Sequence, residues 1–178
     1  MQQKLKNNKG FTIIEVMIVL AIAGLIMLIV FLAVPALQRS ARNTSRKEDA
    51  GRLASAVSTF VSNANGNLPG FGNSTTNFST SQAATDGQVI LSDAGKLGQL
   101  SLNTAAGSTT GDPKPGTLVI ANTAPSPAPT WQDNEVVVYV GYTCQGSWVT
   151  TGGTIRQAAL VYPIEGSSNY STSCIDAL

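Results

Sequence analysis

The chemistry open to this chain is narrow, and most of it gathers around one carboxylate. Glu15 stands directly before Val16–Val34, nineteen residues without a polar side chain. A bare carboxylate at the mouth of a hydrocarbon-compatible helix is costly, and such groups mark a function and a partner. The chemistry it offers is charge pairing with a cation. Histidine is absent, so a Ser–His or Cys–His nucleophile pair is impossible and a His/Cys metal site is not expected. No glycine-rich loop opens a helix and the acids beyond Leu53 are scattered, so no enzymatic activity, cofactor or metal is expected. Cys144 and Cys174 are the only cysteines. Lying beyond a membrane segment, they read as one disulfide made outside the cytoplasm, the alternative being two buried free thiols. Closing their loop of about 30 residues would contribute roughly 3–4 kcal/mol in the chain-entropy picture.

These groups need elements to hold them. A chain of 178 residues allows one membrane segment and one modest domain with a core. The apolar run is just long enough to cross a bilayer as a helix. Its Ile, Leu, Val and Phe residues sum to an upper bound of roughly −5 to −10 kcal/mol for insertion, which outweighs the cost of one acid. Lys4, Lys6 and Lys9 precede it without an acid and place the N-terminus in the cytoplasm, while Arg39, Arg42, Arg46 and Lys47 pull weakly the other way. Ala21-Ile22-Ala23 matches a small-x-small signal cleavage site. Cutting there would leave Gly24–Val34 as an apolar new terminus, which argues against an ordinary secretory signal.

Beyond Pro35 the pattern becomes amphipathic. Ala50, Leu53, Ala54, Val57, Phe60, Val61 and Ala64 recur at three- and four-residue spacing. A helix over 11–63 is predicted, about 80 Å long at 1.5 Å per residue, stopped by Asn65-Gly66-Asn67-Leu68-Pro69-Gly70. Within it, Arg39–Asp49 is polar all round, either supported by neighbours or a solvated face. Residues 71–87 read as a surface loop with sequons at Asn73 and Asn77, and strands are predicted at 88–91, 117–121, 135–142 and 157–162. Residues 112–116 and 123–130 read as turns or connectors. The soluble part is mildly acidic, so a nucleic-acid-binding face is not indicated. A long helix on a small antiparallel sheet is an α+β architecture.

Lys9-Gly10-Phe11-Thr12-Ile13-Ile14-Glu15-Val16, after a short basic stretch, resembles the class III leader and N-terminal helix of type IV pilins. The resemblance is strong over 4–36 and loose beyond. It implies a cleaved cytoplasmic leader at 1–10, a transmembrane and filament-core helix at 11–35, an amphipathic half at 36–63 packed on the head, and a β-sheet head with a C-terminal disulfide loop at 64–178. It further implies that a prepilin peptidase cuts between Gly10 and Phe11 and N-methylates Phe11. Glu15 would then pair with the Phe11 amine of a neighbouring subunit during assembly. Gly24 and Pro35 would bound a bend or a melted stretch, although Pro35 lies later than is usual in the family. Cys144–Cys174 would pin the last loop to the sheet. The implied partners are further copies of the chain, the peptidase, an assembly ATPase with its platform protein, and the inner membrane before assembly. The implied function is an extracellular filament subunit for adhesion, surface motility or DNA uptake. A pseudopilin of a secretion or competence apparatus is the alternative, though many secretion pseudopilins carry a calcium loop and no disulfide. A monomeric membrane-anchored binding module is the rival from another class.

Overall fold

The computed structural model describes residues 10–72, 77–100, 103–104, 117–124, 136–151 and 156–178. The leader lysines, the sequon residue Asn73, the 112–116 turn and most of the 123–130 connector lie outside them. The chain divides into two compact units, 1–40 and 41–178. Helix α1 (Ile13–Asn63) contributes its first part to one and the rest to the other.

Among the described residues of the first unit, none covers the apolar side chains of α1. Ile13 through Leu37 are exposed, and an 18-residue window reaches a mean hydropathy of 3.2 with none of it buried. The core helix of a soluble protein with this composition would be covered; this one needs lipid or another helix. Gly24 and Pro35 lie inside α1, which runs through both without interruption. Pro35 has no N–H to give the carbonyl one turn earlier, so the helix is weakest there.

The second unit is α+β with three layers. Its helical layer is the remainder of α1 with α2 (Thr80–Ala94). The central sheet has the order β1-β2-β3-β6-β7, from β1 (Asn103–Thr104), β2 (Thr117–Ala121), β3 (Val136–Val140), β6 (Ala158–Glu165) and β7 (Tyr170–Asp176). β3, β6 and β7 pair antiparallel, and β2 and β1 extend the sheet in parallel. Alternate residues point to opposite faces. Leu118, Ile120, Val136, Val138, Leu160 and Tyr162 join Leu53, Val57 and Ile90 in one core. Val119, Val137, Tyr139, Ala159 and Val161 face the other way, under a separate hairpin of β4 (Tyr142–Gln145) and β5 (Trp148–Thr151). Coverage on both faces explains why β3 is an unbroken apolar run rather than an alternating one.

One sequence expectation is corrected. The loop at 71–87 and the strand at 88–91 are replaced, from Thr80 onward, by α2. Ser79 caps that helix, its hydroxyl accepting the Gln82 N–H at 3.4 Å, and Gly95 closes it. Its buried stripe is Ala83, Asp86, Gly87 and Ile90, which has helical spacing but only one large apolar residue. The structure also decides between the two alternatives left open for Arg39–Asp49 at two of its residues. Arg46 is 2 % exposed and Asp49 is 3 % exposed, so neither belongs to a solvated face, and the neighbours that cover them come from the same chain.

Asp49 ties α1 to a loop, and Arg46 ties it to the sheet. The Asp49 carboxylate accepts the backbone N–H groups of Gly98 (3.0 Å), Gln99 (2.7 Å) and Leu100 (3.0 Å). Arg42 donates two 2.7 Å bonds to Glu165, and Asn43 exchanges a pair of bonds with the Glu165 backbone at 2.9 and 2.8 Å. Arg46 stacks its guanidinium 5.1 Å from the Tyr170 ring centre. Asp86 holds the Gly70 N–H at 2.8 Å, and Asp176 holds that of Cys144 at 2.8 Å. Asp49, Asp86 and Asp176 thus act as staples, each accepting a backbone N–H from a distant part of the chain. Asp49→Ala would leave three N–H groups without this acceptor beside fully buried Leu100. We expect a loss of about 2–4 kcal/mol, seen as an earlier midpoint when the full chain is unfolded by urea in detergent. Asp49→Asn, which keeps one acceptor oxygen, should lose less.

Candidate processing and assembly site

Gly10 precedes α1 and is exposed, and an added Cβ there would meet nothing within 4 Å among the described residues. Phe11 is 90 % exposed. Helix α1 then begins through a reciprocal cap between Thr12 and Glu15. One Glu15 carboxylate oxygen accepts both the Thr12 backbone N–H (2.8 Å) and the Thr12 hydroxyl (2.7 Å), while the Thr12 hydroxyl oxygen lies 3.4 Å from the Glu15 N–H. This is the capping box of a Ser/Thr followed three residues later by Glu, which satisfies donors that a helix start leaves open.

The carboxylate that needs a partner therefore has a local one. Thr12 was missed in the sequence reading, although the Thr-x-x-Glu spacing was there to be seen. Phe11, Glu15, Val16, Val19 and Leu20 line a shallow apolar groove along the same stretch. One acid thus sits beside an otherwise hydrocarbon surface, one turn from the Gly10–Phe11 peptide bond.

Residues 5–31 match the family model described as the prokaryotic N-terminal methylation motif. The chain carries a prokaryotic N-terminal methylation motif. It is the class III leader of type IV pilins, and it supports a type IV pilin-like or pseudopilin protein. The methylation motif covers Gly10, Phe11, Glu15 and Gly24 and ends before Pro35. Residues 32–178 lie outside it, and there the layout of helix and small sheets is pilin-like α+β. No curated protein and no solved structure matches the chain. The motif and the apolar helix point to a membrane-anchored precursor.

The other residues singled out from the sequence lie outside the matched motif. Pro35 is in the first unit but outside the motif. Cys144 and Cys174 belong to the second unit, where they form a disulfide with Cα atoms 5.7 Å apart. Among the described residues no group of three or more His, Cys, Asp or Glu is placed to hold a metal.

Proposed function

We propose that the chain is a prepilin, cut between Gly10 and Phe11, N-methylated on Phe11, and polymerised into an extracellular filament of the type IV pilus class. The observation that carries this reading is the methylation motif at 5–31 together with the uncovered apolar surface of Ile13–Leu37 in the first part of α1. Before assembly lipid covers that surface, with the N-terminus in the cytoplasm. Afterwards the same surface packs against the helices of other copies, so one sequence serves two apolar environments.

Cleavage links the two states. It creates an amine on Phe11, and in a low-dielectric surround an amine close to the Glu15 carboxylate of a neighbouring subunit is strongly attracted to it. An uncut chain has no such amine. The peptidase, an assembly ATPase and its platform protein act on the chain in turn. Any melting between Gly24 and Pro35 belongs to the assembled state. The Cys144–Cys174 disulfide supports a pilin over a secretion pseudopilin, many of which lack one.

The test is mechanical shearing of the cell surface followed by sedimentation. Recovery of this chain in fast-sedimenting fibres is expected. Recovery only in the membrane fraction would favour an anchored, monomeric binding module.

A further inference from the structure

The turn that ends α1 carries chemistry that the processing site does not use. Asn65-Gly66 is the one Asn-Gly pair in the chain. The side-chain amide of an Asn is open to attack by the backbone nitrogen of the next residue. Glycine, which has no side chain, leaves that approach unobstructed. Asn65 is exposed and holds a left-handed φ of 57°, a conformation that costs Asn less than most residues. Gly66 follows with a φ of 85°.

The fold both gates this turn and prepares it for a new charge. The Gly66 N–H donates to the Val61 carbonyl at 2.8 Å, so the nucleophile is engaged while the helix cap is closed. Beyond the turn, Leu68 is buried and Asp86 accepts the Gly70 N–H at 2.8 Å, which anchors the chain on that side. An exposed guanidinium stands beside the turn, since a Cβ at Gly66 would lie 4.0 Å from Arg156 Nη1. The last turn of α1 has no basic residue of its own, and its open carbonyls disfavour an acid. Arg156 offsets that penalty for a carboxylate formed here.

We propose that Asn65 is a self-modification site, at which the chain deamidates whenever the cap of α1 opens. The released Gly66 nitrogen loses its proton to solvent base and bonds to Asn65 Cγ. The Cγ–Nδ2 bond breaks and ammonia leaves, which closes a cyclic imide. Water then opens the ring. Breaking the new N–Cγ bond yields aspartate, and breaking the original backbone C–N bond yields isoaspartate, with the main chain rerouted through Cβ and Cγ. Either product has exchanged an amide for a carboxylate, with no change in oxidation state. Water is the only co-reactant, and the reaction does not depend on the proposed function.

Peptide mapping by mass spectrometry tests this on the purified full chain, held in detergent in mildly alkaline buffer. The folded chain is followed beside the same chain unfolded in guanidinium chloride. The Asn65→Gln variant, whose longer side chain closes the ring far more slowly, should lose the signal. The expected result is an amide-to-acid mass gain with isoaspartate at position 65, about tenfold slower in the folded chain than in the unfolded one. Asn63 and Asn67 are followed by Ala64 and Leu68. They should convert at least about tenfold more slowly than Asn65 in the same molecule, because a side chain on the attacking residue obstructs the approach. Equal rates at Asn65 in the folded and unfolded chains would overturn gating by the cap. A folded chain unmodified at Asn65 after about a hundred unfolded half-lives, or one in which Asn63 and Asn67 keep pace, would overturn the site.

Discussion

Gly10→Leu is expected to abolish removal of residues 1–10 and leave the chain's own fold as it is. The two halves of this result rest on different observations. A Cβ added at Gly10 meets nothing within 4 Å among the described residues, so no intramolecular cost is expected there. A peptidase that holds the extended backbone on either side of the scissile bond has no such freedom, because a bulky side chain blocks close approach. Processing measured by the mobility and N-terminal mass of the membrane-bound chain should fall at least about 100-fold, as expected when a bulky group is forced into a well-packed site. Accumulation of an uncut, folded precursor is the expected outcome. Normal trimming would show that the cleavage site lies elsewhere.

The second large effect concerns Glu15, and the capping box sharpens it. Glu15→Ala removes the negative charge and the acceptor for the Thr12 N–H together. Glu15→Gln removes the charge but keeps an acceptor at the position where Gln serves as well as Glu in a capping box. Both variants should still be cut, since Gly10 and Phe11 are unchanged. If intersubunit charge pairing drives assembly, both should give about a tenth or less of the normal fibre yield. Wild-type yield from Glu15→Gln with a defect in Glu15→Ala would assign Glu15 to the helix start alone. Normal yield from both would remove Glu15 from assembly altogether.

How much of this was legible in the sequence followed from how each element stores its signal. The first half of α1 announces itself through unbroken hydrocarbon, and its end is marked by Asn65, which adopts a left-handed φ of 57°, and by Gly66, whose N–H bonds to the Val61 carbonyl at 2.8 Å. β2 was placed at its observed bounds, and β3 and β6 nearly so, because their buried residues are β-branched and aliphatic. α2 was hidden because it packs through Ala83, Asp86 and Gly87, which an apolar periodicity does not register. β7 was hidden because Tyr170–Asp176 is a half-buried edge strand rich in Ser and Thr. The buried roles of Arg46 and Asp49 were illegible for a related reason. A charged residue reads as solvated until the loop that satisfies it is in place, and Gly98–Leu100 lies about fifty positions along the chain from Asp49. At the candidate site the reverse holds: Glu15 drew attention by its neighbours, while its nearest partner, Thr12, was read only as part of a motif.

The most direct measurement is the mass of the N-terminal peptide of this chain in fibres sheared from the cell surface. A peptide that begins at an N-methylated Phe11 is expected, and it would join cleavage, modification and assembly in one molecule. A peptide that still begins at Met1, or the absence of this chain from sheared fibres while it remains in the membrane, would contradict the prepilin reading.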